Sequence, residues 1–197
     1  MAIKQVDRYI SEGSTAFYRA SIVDEDGVRI NSSDIDSITL TLYDVASGSV
    51  INSRDAQDVN GANNGTYVYS NASITSATNT QPIDITSAAH GRSNNDVVHI
   101  TDVLGCSNAN GTFSITKVDA NTFSLNRSSS NAPYTSGGTW TYSLFTMELG
   151  ADDNIIVGSG VGADQPEQHR ALVTVTYDTT RTITHQVDLY VQQLTKV

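Results

Sequence analysis

Residues 171–191 read ALVTVTYDTTRTITHQVDLYV, and their pattern decides the fold. Val173, Val175 and Tyr177 alternate with Leu172, Thr174 and Thr176. After Asp178-Thr179-Thr180 the alternation resumes, with Ile183, His185, Val187, Leu189 and Val191 set against Thr184, Gln186, Asp188 and Tyr190. Side chains of an extended backbone point to opposite faces in turn, so a period of two predicts strands with one apolar and one polar face. The connection between the two runs has hairpin length, which makes them antiparallel neighbours. Strands of this kind hide their apolar faces by packing one antiparallel sheet on another.

The same period extends outward. In 37–45, Ile38, Leu40 and Leu42 share a face opposite Thr39, Thr41 and Tyr43. A further strand is predicted over 15–23, closed by Asp24-Glu25-Asp26-Gly27, where glycine tolerates a positive φ. Composition agrees: 23 Ser, 23 Thr, 15 Asn and 14 Gly stand against only three Lys among 197 residues, so strands and turns outweigh helix. The expected class is all-β.

The middle of the chain has a different rhythm. Short strands are predicted at 83–86, 97–101, 112–118 and 122–126. The turns between them are His90-Gly91-Arg92-Ser93, Asn108-Ala109-Asn110-Gly111 and Asp119-Ala120-Asn121. This stretch holds four acidic and three basic residues; the flanks hold 17 acidic and eight basic. The expectation is a discontinuous β-sandwich, 1–80 and 142–197, with a small β-module, 81–141, inserted in a surface loop. Two polar stretches remain. The crossover 52–64 is expected to carry a short helical turn at 54–59, and the Gly-rich loop 158–168 to start one near Asp164-Gln165-Pro166-Glu167. Residues 3–12, with Ile3, Val6, Tyr9 and Ile10 as apolar contacts, read as an assembly arm on a neighbour or as a first edge strand.

Several functional classes are excluded or weakened. A net charge of −10 argues against a nucleic-acid phosphate backbone as partner. Nothing approaches the roughly 20 apolar residues of a membrane helix, and the first residues lack the apolar core of a signal peptide. Cys106 is the only cysteine, so no internal disulfide forms and a reducing compartment suits the chain. A cysteine nucleophile needs a base; His90 and His99 lie in the same module, but no nucleophile motif surrounds Cys106, and a small buried thiol is the expected role. The four histidines, 90, 99, 169 and 185, lack metal-ligand spacing, and His185 falls on the apolar face of its strand. Asp24-Glu25-Asp26-Gly27 resembles the opening of a calcium loop, yet Val28-Arg29-Ile30 adds no ligand, so a solvated turn is expected, as for Asp152-Asp153-Asn154. Gly158-Ser159-Gly160-Val161-Gly162 lacks the lysine and the following helix of a phosphate loop. No catalytic residue, metal or cofactor is expected. Tyr134, Trp140 and Tyr142 are the one candidate for a carbohydrate-stacking platform.

Residues 37–60 (SITLTLYDVASGSVINSRDAQDVN), 152–157 (DDNIIV), 167–175 (EQHRALVTV) and 185–194 (HQVDLYVQQL) together resemble a small Ig-like protein encoded among the virion genes of tailed bacteriophages. The inner part carries 85–91 (ITSAAHG), 96–100 (DVVHI), 110–113 (NGTF), 119–125 (DANTFSL) and 134–140 (YTSGGTW). It is similar to a module common in phage structural proteins and to the small β-barrel half-domain of ubiquitin-activating enzymes, without their catalytic parts. The resemblance implies an Ig-like antiparallel sandwich with an inserted small β-barrel-like domain. It further implies a non-enzymatic virion protein, a capsid decoration (cement) or a neck or tail-attachment component, assembled in the bacterial cytoplasm. Expected partners are other virion proteins (major capsid, portal, neck or tail) and further copies of the chain, with neither nucleic acid nor membrane. The alternative expectation is a host-glycan adhesion module built on Tyr134, Trp140 and Tyr142.

Overall fold

The computed structural model describes residues 8–158 and 165–193. Thirteen strands form among them. The first seven are β1 (Arg8–Ser11), β2 (Ala16–Ala20), β3 (Ile35–Asp44), β4 (Gln57–Asp58), β5 (Gly65–Ser73), β6 (Ser76–Ala77) and β7 (Ile83–Thr86). Then follow β8 (Val97–Leu104), β9 (Gly111–Lys117), β10 (Thr122–Leu125), β11 (Ser136–Leu149), β12 (Glu167–Tyr177) and β13 (Arg181–Gln192). Three short 3-10 turns complete the regular structure, and no described helix is long and apolar enough to cross a membrane. The protein is all-β, as its composition and two-residue period predict.

Contacts divide the chain into two compact units, an outer one of Met1–Tyr67 with Leu144–Val197 and an inner one of Val68–Ser143. The sequence places the seams at 80/81 and 141/142. The strands β5 and β11 each supply residues to both units, which is why polarity and turn residues mark the junctions imperfectly.

In the outer unit, β1, β13, β12, β3 and β4 lie side by side in one sheet. The hairpin 177–181 pairs β12 with β13 along its length, from Glu167↔Val191 to Tyr177↔Arg181. Asp178 and Thr179 make the reversal with φ of 49° and 64°. β12 also pairs antiparallel with β3, and β1 runs parallel to the end of β13, Arg8↔Leu189 to Ser11↔Gln192. Opposite this sheet, residues 145–149 of β11 pair with β2. The inward residues Ile38, Leu40, Leu42, Val173, Val175 and Val191 meet Phe145, Met147, Ile22, Ile51 and Val59 in one buried cluster. Alternation therefore does here what the sequence predicts: it sends one face of each strand into a sandwich core. Residues 54–59 are not a helical turn. Ala56 has φ 46° and 57–58 pair with β3, because Arg54 turns inward to a buried partner instead of following a helix surface.

In the inner unit, residues 136–141 of β11 pair with β8, and β9, β10, β7 and β6 continue in order, all antiparallel. The row curls back on itself: Ile74, just before β6, donates its N–H to Gly138 O of β11 at 2.9 Å. This approach needs glycine at 138, where φ is +98° and a Cβ would stand 2.6 Å from Val103 Cγ2. Ile83, Ile85, Val98, Ile115, Phe123 and Trp140 fill the interior.

Candidate functional site

The outer unit carries a groove of about 420 Å³ between the segment after β2 and the start of β13. Ser21, Val23, Asp24 and Glu25 form one wall; Tyr177 and the β13 residues Arg181, Thr182, Ile183, Thr184 and His185 form the other. Its first wall exists because Asp24 closes the turn that the sequence predicts. The Asp24 carboxylate accepts from the amides of Asp26 (3.0 Å) and Val28 (2.8 Å), and Gly27 follows with φ 81°. A carboxylate so occupied braces a turn, in line with the solvated turn expected at 24–27.

The polar groups of the groove hold one another. Tyr177 donates its hydroxyl to Glu25 Oε2 at 2.8 Å, and Arg181 Nη1 pairs with Glu25 Oε1 at 2.9 Å. Glu25 is held below the usual carboxylate range by its own backbone amide and by the Tyr177 hydroxyl, with the Arg181 charge adding to this. Arg181 and Glu25 are both more than half exposed, so the pair orients a surface and contributes little to stability. Deeper, the His185 Nδ1 and Tyr18 hydroxyl share a hydrogen bond of 2.9 Å. Burial lowers the pKa of His185 and pushes Tyr18 up to about 12, so both are neutral at pH 7.

The backbone along this groove matters as much as the side chains. β1 covers the edge of β13 only at 189–192, and among the described residues no strand pairs with the outer edge of 181–188. An open edge offers alternating N–H and C=O groups to an extended segment. The arrangement suits docking of a neighbouring strand.

Three buried polar groupings brace the same unit. Asp153 takes a bidentate contact from Arg54, Nε and Nη2 each at 2.8 Å, and further bonds from Asn52 and the Gly150 amide. Burial alone would raise the Asp153 carboxyl, but the Arg54 and Asn52 bonds outweigh it and its pKa is lowered. Asp188 is lowered by the two bonds from Arg170, Nε at 2.8 Å and Nη2 at 3.0 Å. Glu167 accepts from Val157 N (3.0 Å), Gly158 N (2.6 Å) and His169 Nε2 (2.7 Å), so it pins 157–158 against β12. The helical start expected near 164–167 is overturned at Glu167, which opens β12; 159–164 lie outside the described residues. Asp44, paired across strands with His169, is lowered too: burial acts to raise it, and hydrogen bonds from Ser47 and Ala46 prevail. Local sequence carries no sign of the Arg54–Asp153 pair, whose members stand 99 positions apart.

The structure does not present Tyr134, Trp140 and Tyr142 as an exposed stacking platform. Trp140 is 1% exposed, donates Nε1–H to Ser87 Oγ at 2.8 Å and meets Phe123 edge-on. Tyr134 is tied to Ile74 O and Gly137 O, and the Arg92 guanidinium sits 4.1 Å over the Tyr142 ring. Trp140 is a core residue because its position in β11 points inward, a parity that the aromatic spacing alone conceals. Of the arm residues, Ile3 and Val6 lie outside the described residues. Ile10 is 8% exposed in the unit's own core, and Tyr9, 67% exposed, stacks on Tyr190 at 5.4 Å. Residues 8–11 are therefore the edge strand of the two expected forms.

Cys106 is fully buried, with Sγ 3.2 Å from Ser130 Oγ. His90 is held by Asp119 O and the Arg92 amide, and His99 Nδ1 lies 2.9 Å from Thr112 Oγ1. No group of three or more His, Cys, Asp or Glu among the described residues is placed to hold a metal. Compared with protein-family models and with curated proteins, the chain matches none.

Proposed function

We propose that this chain is a non-enzymatic structural protein of a tailed-bacteriophage particle, placed on the particle surface as a capsid decoration or as a neck or tail-attachment component. The observation that carries this reading is how the two sequence patterns fall on the fold. The outer pattern, 37–60, 152–157, 167–175 and, as far as it is described, 185–193, lies on β3, β4, β12, β13 and the segments next to them, in the outer unit. The inner pattern, 85–91, 96–100, 110–113, 119–125 and 134–140, lies on β7 to β10, their connections and the start of β11, in the inner unit. Each pattern thus falls within one unit, which supports a sandwich that carries an inserted module.

Two physical features support a role by contact. The groove beside residues 181–188 of β13, whose outer edge no described strand pairs, would take an extended segment of a neighbouring virion protein. With 17 acidic and eight basic residues, the outer unit repels packaged DNA and favours a basic partner surface. Cys106, His90 and His169 are engaged in packing and hydrogen bonds, which suits binding rather than turnover. Partners would be capsid, portal, neck or tail proteins, together with copies of this chain arranged by the particle's symmetry.

A cryo-electron-microscopy map of intact particles tests the reading. Density for this sandwich over the capsid lattice makes it a decoration; density at the portal vertex alone makes it a neck or tail component. A map of complete particles with no density for it at either place overturns the proposal.

A further inference from the structure

The chain contains three Asn-Gly pairs, Asn60-Gly61, Asn64-Gly65 and Asn110-Gly111. Glycine after asparagine leaves the following amide nitrogen unshielded, so the pair is prone to cyclise wherever the backbone can bring that nitrogen to the side-chain carbonyl. The fold treats the three pairs differently. We propose that Asn60 is a site of spontaneous deamidation in the folded protein, and that Asn64 and Asn110 are protected.

Asn110 is locked by its side chain. Its Oδ1 accepts from Val103 N at 2.9 Å and its Nδ2 donates to Val103 O at 3.0 Å, while Gly111 begins β9 and pairs with Ile100. Asn64 is locked by its backbone. The Gly65 N–H is committed to Ala62 O at 2.8 Å, and Asn64 O accepts from Glu148 N at 3.0 Å. Gly65 is itself buried, and a Cβ there would stand 2.0 Å from Val59 O, so this segment has no room to pivot.

Asn60-Gly61 has none of these restraints. Both residues are exposed, and among the described residues neither the Asn60 side-chain amide nor the Gly61 N–H makes a hydrogen bond. Gly61 has φ +76° with nothing within 4 Å of where a Cβ would be, so the peptide can swing. Its neighbours hold the pair in place without blocking it: Val59 N–H is bonded to Ile38 O, and Asn60 N–H to Asp58 Oδ1 at 2.9 Å.

The step balances with solvent alone. Hydroxide takes the Gly61 amide proton, the nitrogen attacks Asn60 Cγ, and the C–N bond to the side-chain amide breaks as water gives a proton to the leaving nitrogen, which departs as ammonia and leaves a five-membered imide. Water then opens either carbonyl of the ring and gives aspartate or isoaspartate. The product adds one negative charge beside Asp58 in a unit already rich in carboxylates. The isoaspartate form also lengthens the backbone next to the core residue Val59.

The test is a time course of the full chain at mildly alkaline pH, folded and in urea, followed by proteolysis and fragment mass spectrometry that separates aspartate from isoaspartate. In the folded protein, a gain of one mass unit is expected at Asn60, several-fold faster than at Asn64 or Asn110. In urea the three sites should converge. An intact Asn60 in the folded protein, or equal conversion of all three sites there, overturns the proposal.

Discussion

At the residue scale, stability in the outer unit depends on charges that burial makes costly unless they are paired. Arg54 and Asp153 have side chains 8% and 1% exposed and face each other in a fork. Breaking a buried pair leaves the remaining charge uncompensated, so Asp153→Ala is expected to cost about 3–5 kcal/mol, whereas the joint replacement Arg54→Met with Asp153→Leu costs much less. Denaturant unfolding of the two variants measures the difference. The pH dependence follows from the same groups. Asp44, Asp153 and Asp188 all have lowered pKa values in the folded state, so the unfolded chain takes up protons first as pH falls. Their contribution is present above about pH 4, the ordinary carboxylate value, and is lost as pH falls through their own lower values. His185, lowered by burial, acts with the same sign from about pH 6.5 downward. Unfolding midpoints should therefore fall from pH 7 to pH 3, and a midpoint unchanged at pH 3 would contradict this. Little of it is visible in the sequence. Asp152-Asp153-Asn154 reads as a solvated turn; it is a turn, but Asp153 and Asn154 are buried, because Asp153 points inward to an arginine 99 positions away.

At the element scale, β1 decides what the N-terminal region does. Ile10 is buried against the outer core, Glu12 N–H bonds to Gln192 O at 2.9 Å, and the strand covers the end of β13 at 189–192. Deleting residues 1–12 removes that cover and exposes Leu189 and Val191, so the outer unit should lose stability as well as any contact with neighbours. Replacing Ile10 by Ala alone should cost about 2–5 kcal/mol, read as a lower denaturation midpoint. A deletion that leaves the midpoint unchanged would show that residues 8–11 lie on the surface as an arm. The strands themselves were legible wherever side chains alternate: β3, β7 and β13 lie within a residue or two of their predicted bounds, while β12 begins at Glu167, four residues before the alternation read from Ala171. Parity was harder to read in β11. There Trp140 and Tyr142 share a face in the pattern, yet Trp140 is buried and Tyr142 lies under Arg92. An aromatic at a strand position says nothing of which side the neighbouring sheet covers.

At the scale of the whole molecule, two cores stand in one chain, one closed by paired sheets and one by a row of short strands that curls on itself. Turn spacing and charge distribution point to two units from the sequence. The seams shift because β5 and β11 run through both, and a strand carries no composition change where it passes from one unit to the next. The groove was not legible at all. Its walls come from residues 21–25 and 177–185, which only the closed sandwich brings together. What the proposed function requires is that this chain be part of a particle. The most direct measurement is quantitative mass spectrometry of purified, DNA-filled particles of the phage to which the proposed function assigns the chain. The account predicts peptides from both units, in a fixed ratio to the major capsid protein that survives a further round of density-gradient purification. Particles that lack the chain while it accumulates in the infected cell would contradict it.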